Sequence, residues 1–308
     1  VGRETANVTP ADVENITLNF AVPVELSMDI IAAVNILFSI TASLGNALIL
    51  LALRKVTSLH PPTKLLFQCL AITDLGVGLS SQPLFAYMLL NGFRTVEVII
   101  VSNAILSIIF CGVSMLISTA LSVDRLLALL LGLRYRHVVT LKRVRIAVAC
   151  CWLTAFVSAL VIFLFIGKTV TKIVMSLIIL FVITISLFCY TKIVLKLRQH
   201  QTSVQENVHQ GMANAGRVPI NLEQYKRTVV SIALVQMALV ACYFPSLIFL
   251  ILAQLDGIPY NVFVSIILTS ITLLYLNSSL NPFLYCWRIK EVRQAVLGTI
   301  KRFCSCPS

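Results

Sequence analysis

The chain has 308 residues, 58% of them hydrophobic and only 12% charged, about half the roughly 25% charged that a water-soluble domain carries. Its formal net charge of +12 would suit nucleic acid if it formed one soluble patch, but the Lys and Arg are scattered at the ends of long apolar runs, which excludes that class. At about 20 apolar residues per membrane crossing, seven spans and their connections use nearly the whole length and leave no room for a second domain.

Residues 1–26 read as a polar tail. Asn7-Val8-Thr9 and Asn15-Ile16-Thr17 match the glycosylation acceptor pattern there, so Asn7 and Asn15 are expected to carry sugar. No positively charged, cleavable leader precedes the first apolar stretch, and the first span is expected to act as its own insertion signal. Sustained hydrophobicity in windows of about 20 residues predicts spans over 27–53, 62–89, 97–130, 142–166, 171–198, 223–254 and 258–286. The connection 199–222, rich in Gln, Asn and Gly, reads as a flexible loop. Residues 287–302 alternate Ile289, Val292, Val296 and Ile300 with Lys and Arg, as a helix lying in the membrane interface does. Cys304 and Cys306 follow it and suit palmitoylation at the inner leaflet.

The expected fold is therefore an all-α membrane protein: an extracellular N-terminal tail over 1–26, a seven-transmembrane helix bundle over 27–286, and a short amphipathic eighth helix with a cytoplasmic tail over 287–308. Of the 24 Lys and Arg, only Arg3, Arg94, Lys168 and Lys172 share the side of the N-terminus. Positively charged loops stay cytoplasmic, so the N-terminus is expected outside a plasma membrane. None of the nine cysteines falls in an outer loop, and no outer disulfide is expected despite the oxidising compartment.

Ionisable groups inside spans are costly unless paired or hydrated, and so mark function. Asp74 stands mid-way along the second span, and Asp124-Arg125 at the inner end of the third. Asn46, Asn277, Ser278 and Asn281 are candidate polar partners for Asp74. Pro83, Pro245 and Pro282 mark places where freed carbonyls need other partners.

These residues, taken one helix at a time and in order, resemble the rhodopsin-like G-protein-coupled receptors over 27–302. Gly45-Asn46 and Leu70-Ala71-Ile72-Thr73-Asp74-Leu75 look like the family's buried Asn and sodium-binding Asp. Ser122-Val123-Asp124-Arg125-Leu126 is similar to the Asp-Arg-Tyr signature, with Leu126 for Tyr. Trp152 matches the lone Trp of the fourth helix, and Tyr190 the inner Tyr of the fifth. Cys242-Tyr243-Phe244-Pro245 resembles Cys-Trp-x-Pro, with Tyr243 for Trp. Asn281-Pro282-Phe283-Leu284-Tyr285 is the Asn-Pro-x-x-Tyr motif intact.

The resemblance implies a cycle. Asp74, Ser114, Asn277, Ser278 and Asn281 would hold a sodium ion as an allosteric modulator, with no other cofactor. Ligand binding would move Tyr243, and the Pro245 and Pro282 kinks would let helices swing. Arg125 would leave Asp124 and, with Tyr190 and Tyr285, line a cleft for a heterotrimeric G protein, on which Leu133 would dock as an apolar knob.

Departures from the family pattern narrow the subgroup and the ligand. Ile100 replaces the usual Cys, the 167–172 loop has no Cys, and Val182 stands where a Pro is common, as in the melanocortin, cannabinoid and lysophospholipid receptor cluster. Tyr225 replaces the acidic partner of the helix-three Arg, which together with Tyr243 leads to an expectation of basal activity. Ser107 replaces the Asp that holds amines, and no Lys in 258–286 can form a retinal Schiff base. The melanocortin acidic cluster is missing, with Leu84, Ile100 and Ala104 at those places. The expected pocket, Asn103, Ser107, Ile108, Cys111, Phe244, Ile271 and Tyr275, suits a lipid-like or small neutral ligand.

The alternatives are a receptor-like scaffold without signalling, since Leu126 and Tyr243 alter switch motifs, and a transporter, for which no internal repeat is visible. The four His all lie on the cytoplasmic side, away from Cys or carboxylates at ligand spacing, and no enzyme is expected.

Overall fold

The structure, a computed structural model, describes residues 10–91, 94, 96–165, 169–209, 222–253, 259–288 and 290–304, with side chains of the first helix described from Met28 and of the sixth span from Met237. Among these residues there is no strand. A backbone in lipid has no water to bond, so each span must satisfy its own N–H and C=O groups as helix.

The helices are α1 (Pro10–Lys55), α2 (Pro61–Gly76), α3 (Gln82–Leu90), α4 (Glu97–Leu131), α5 (Tyr135–Val138), α6 (Leu141–Leu164), α7 (Thr169–His209), α8 (Leu222–Leu252), α9 (Tyr260–Arg288) and α10 (Lys290–Cys304). The seven spans are α1, α2 with α3, α4, α6, α7, α8 and α9, and α10 is the eighth helix. Local chemistry sets the ends. Pro61 and Pro62 open α2 where a missing N–H costs nothing. The Thr140 hydroxyl accepts from the Arg143 N–H at 3.4 Å and caps α6. Gly132, at φ 51°, ends α4 in a conformation that side chains resist.

Three boundaries differ from expectation. The first helix runs back from residue 27 to Pro10. The fifth span runs on from 198 to His209, into the stretch expected to be a loop, because Gln199, Gln201, Gln205 and Glu206 are good helix formers even without an apolar stripe. The second span is divided by a π-helical turn, Val77–Ser81, which absorbs an extra residue just before Pro83, whose ring cannot continue normal hydrogen bonding. Two hydroxyls take up carbonyls there: Ser80 Oγ donates to Gly76 O at 2.6 Å, and Ser39 Oγ of α1 donates to Gly78 O at 2.7 Å.

Five helical stretches among the described residues are long and apolar enough to cross a membrane. The second span is not among them. The sixth is represented by Met237–Leu252, where its described side chains begin. Large apolar side chains such as Leu37, Leu79, Phe181 and Phe283 stand exposed on the outer faces, where lipid is the solvent.

Inside, small residues let backbones approach closely. A Cβ on Gly45 would lie 2.8 Å from the Pro282 ring, and one on Gly76 would lie 2.6 Å from the Phe110 ring. The inner half of the core gathers Leu53, Phe67, Leu70, Ile117, Leu121 and Tyr285. Met115, Ile179, Val182, Leu239 and Tyr243 join the third, fifth and sixth spans. α10 lays Val292 and Val296 on this core, and Lys55 Nζ donates to Thr299 Oγ1 at 2.8 Å, tying it to the end of α1.

Candidate functional site

Between the second, third, fifth, sixth and seventh spans the bundle encloses a cavity of about 420 Å³. Its wall combines Phe85, Met88, Ile100, Ala104, Ile108, Cys111, Met115, Met175, Ile179, Ile267 and Ile271 with only four side chains that bear strong polar groups: Asn103, Ser107, Tyr243 and Tyr275. Among the described residues no charged side chain lines it. Asn103, Ser107, Ile108, Cys111, Ile271 and Tyr275 were all expected there, and the structure brings them together.

Phe244 is a correction. It is 49% exposed and absent from the cavity wall, while its neighbour Tyr243, 2% exposed, supplies the floor. Successive residues on a helix are about 100° apart, so Tyr243 and Phe244 cannot share one face, and the inward place went to the one with a hydroxyl to satisfy. The walls from Phe85, Met88, Met175 and Ile179 were not anticipated, because facing directions across the π-turn and along the apolar fifth span carry no period to read.

The polar groups are tightly arranged. Ser107 Oγ lies 2.7 Å from the Tyr275 hydroxyl and also donates to Asn103 O at 2.7 Å. Phe85 packs edge-on to Tyr275 with centroids 5.6 Å apart. Asn103 is 6% exposed, and its Oδ1 has no hydrogen-bond partner among the described residues, which leaves a strong acceptor buried beside an apolar chamber. Below, the Tyr243 hydroxyl donates to Cys111 O at 3.5 Å and accepts from Asn277 Nδ2 at 3.4 Å, joining the third, sixth and seventh spans.

One layer further in, Asp74 is fully buried. Ser114 Oγ donates to its Oδ1 at 2.7 Å and Asn281 Nδ2 to its Oδ2 at 2.6 Å. Ser278 is buried beside them, its carbonyl accepting from Asn46 Nδ2 at 3.1 Å. Asn277, expected in this set, turns to Tyr243 instead. The carboxylate, the Ser114 hydroxyl and the unpartnered Asn46 Oδ1 are hard oxygen donors, the type that small hard cations select.

At the inner end of α4, Asp124 is buried and accepts from the Tyr135 hydroxyl at 2.6 Å and from Thr63 Oγ1 at 3.0 Å. Arg125 Nη2 stands 3.5 Å from Asp124 Oδ2, an ion pair without hydrogen-bond geometry, since Nε and Nη2 lack partners among the described residues. The guanidinium lies 5.9 Å from the Phe67 ring centroid. Tyr285 packs edge-on to Phe67 with centroids 4.9 Å apart. Tyr190 is half-buried on α7. Leu126 replaces a polar ring with packing against Cys189 and Ile193 of the fifth span. Just beyond α4, a 3-10 turn Gly132–Arg134 lifts Leu133 to 98% exposure.

Pro245 and Pro282 lie inside α8 and α9. Asn7 and Cys306, and the side chains of Asn15, Tyr225 and Cys304, lie outside the described residues. Among the described residues there are no groups of three His, Cys, Asp or Glu that could hold a metal, and seven cysteines are free.

Residues 45–172 and 168–285 match the family described as 7 transmembrane receptor (rhodopsin family). The chain is 27% identical over 275 residues to melanocortin receptor 4 of Danio rerio, covering 85% of this chain and 80% of that one. It is 24% identical over 290 residues to adenosine receptor A3 of Ovis aries, covering 89% and 90%. A shorter stretch of 127 residues is 32% identical to adenosine receptor A3 of Canis lupus familiaris, covering 41% and 40%.

Proposed function

Because the chain belongs to the rhodopsin family of seven-transmembrane receptors, and so is a multi-pass G-protein-coupled receptor, we propose that its ligand is uncharged and mostly apolar with at least one hydrogen-bond donor. The cavity wall carries this reading, since among the described residues no charge stands in it and no group bonds Asn103 Oδ1. An ionised ligand would have to shed its hydration with no opposite charge to replace it, at a cost of several kcal/mol. A donor on an apolar ligand would meet Asn103, and the rest would fill the space among Met88, Met115, Met175 and Ile179, where thioethers adapt to irregular shapes.

Ligand occupancy at Tyr243 biases the bundle between two states that the G protein reads at Arg125 and Leu133. In this reading Asp74, Ser114, Ser278, Asn281 and Asn46 hold a sodium ion that favours the resting arrangement, the carboxylate balancing its charge. The N-terminus faces outward from the plasma membrane, glycosylated at Asn7 and Asn15, and palmitate on Cys304 and Cys306 anchors the inner end. The missing outer cysteines favour the melanocortin, cannabinoid and lysophospholipid cluster, and Ser107 in the apolar wall, where amine receptors have an Asp, argues against an amine ligand.

The test is G-protein activation in membranes carrying the receptor, exposed to neutral and to charged fractions of a lipid extract beside an Arg125→Ala control. Activation by neutral fractions that the control abolishes is expected. Activation by charged fractions alone would overturn the ligand class, and silence in every fraction at normal surface levels would favour a non-signalling scaffold.

A further inference from the structure

A second buried polar set lies apart from both the cavity and Asp74. Asn35 and Gln82 are fully buried, as is Ser81. Among the described residues no group bonds Gln82 Oε1, Gln82 Nε2, Ser81 Oγ or Asn35 Oδ1. Each such atom away from water costs about 1–3 kcal/mol if left unanswered, and four within one neighbourhood is more than a packed interior tolerates without a partner.

The register of the first two spans brings them together. Ser39 Oγ donates to Gly78 O, and a Cβ on Gly78 would lie 2.7 Å from Ser43 Oγ, so these faces of α1 and the second span touch. The two spans run in opposite directions. One turn outward from this contact is Asn35 on α1 and Gln82 on the second span, and one turn further are Ala32 and Ala86, both buried in one cluster. From the other side Asn35 Nδ2 donates to Thr272 Oγ1 of α9 at 3.1 Å and to Ile31 O at 2.8 Å. The π-turn positions the set, since Ser81 and Gln82 are its last residue and the next one.

We propose that Asn35, Ser81 and Gln82 form a buried water-binding site that ties the first span to the second. The chemistry points to water among small partners: the free atoms include both acceptors and a donor, which a two-way donor and acceptor answers at once. A bare cation would leave Gln82 Nε2 unanswered and finds no carboxylate in the set, and an apolar guest would satisfy none of the four. Gln82 opens α3, whose Phe85 and Met88 form a cavity wall about one to two turns further on, so the water steadies that wall at its base.

Two measurements on the full-length receptor in lipid nanodiscs decide it. Density at better than about 2.5 Å resolution is expected to show a water within hydrogen-bond reach, about 3 Å, of both Gln82 and Asn35. Direct amide-to-amide pairing of those side chains would overturn the proposal. Gln82→Met keeps the shape and removes the amide. It is expected to lower the melting temperature by roughly 2–5 °C, and combining it with Asn35→Leu is expected to cost less than the two single changes added. An unchanged or raised melting temperature for Gln82→Met would mean that nothing had answered the amide, and would overturn the site.

Discussion

The Tyr243 hydroxyl stands between two spans, donating to the Cys111 carbonyl and accepting from Asn277 Nδ2 at 3.4 Å, so the floor of the cavity and the span carrying Asn281 share one hydrogen-bonded group. Tyr243→Phe keeps the ring and removes that tie, leaving Asn277 Nδ2 without its partner. Loss of about 1 kcal/mol from the resting state is expected to raise ligand-free G-protein activation about fivefold. Equal activation by mutant and parent at matched surface levels would show that the hydroxyl does not hold the resting state.

Asp124 is held by Tyr135 and Thr63 more tightly than by Arg125. Tyr135→Phe frees one carboxylate oxygen to engage the guanidinium, so ligand-free activation is expected to fall, opposite in sign to Tyr243→Phe. Thr63→Val is expected to act in the same direction and more weakly. A rise in either case, read in the same assay, would mean that these hydroxyls restrain Arg125 rather than compete for its partner.

Leu133 is almost wholly exposed and is not part of the packed core. Leu133→Ala is expected to leave thermal stability within about 0.5 kcal/mol while cutting G-protein activation at least roughly tenfold, or about 1.4 kcal/mol. A stability loss of the same size as the activity loss would assign Leu133 to folding.

With Asp74 fully buried and bonded through both oxygens, replacing potassium chloride by sodium chloride at constant ionic strength is expected to raise the melting temperature of the purified receptor. Asp74→Asn is expected to abolish that difference. A sodium effect of equal size in the mutant would place the cation elsewhere.

Gly45→Ala sets a methyl 2.8 Å from Pro282, where both partners are rigid. A cost of about 1–3 kcal/mol is expected, seen as reduced surface delivery, and the same change at Gly298, where a Cβ meets nothing within 4 Å, is expected to be silent.

Hydropathy located the spans because lipid demands apolar length, and the buried carboxylate at Asp74 stood out because charge in that setting needs partners. Facing was harder to read. On an apolar helix both faces are hydrophobic, one for lipid and one for neighbours, so Tyr243 and Phe244 could not be separated by pattern. The wall residues Met88 and Ile179 were hidden for the same reason. The partners of Asp124 were missed because Thr63 comes from another span and Tyr135, although close in sequence, belongs to no motif that names its partner. The hydrogen-bond partners of Asp74 were legible down to Ser114 and Asn281, whereas Asn277 took another partner because Tyr243, in place of Trp, offers a hydroxyl.

The π-turn at Val77–Ser81 makes chain length a determinant of ligand chemistry. With the turn in place, Phe85 and Met88 face the cavity while Tyr87 and Leu90 are exposed toward lipid. Deleting one residue there would rewind the stretch as ordinary helix and rotate everything beyond it by about 100°, presenting a different set of side chains to the ligand. Selectivity in this receptor is thus open to change by insertion and deletion, with every wall residue left as it is.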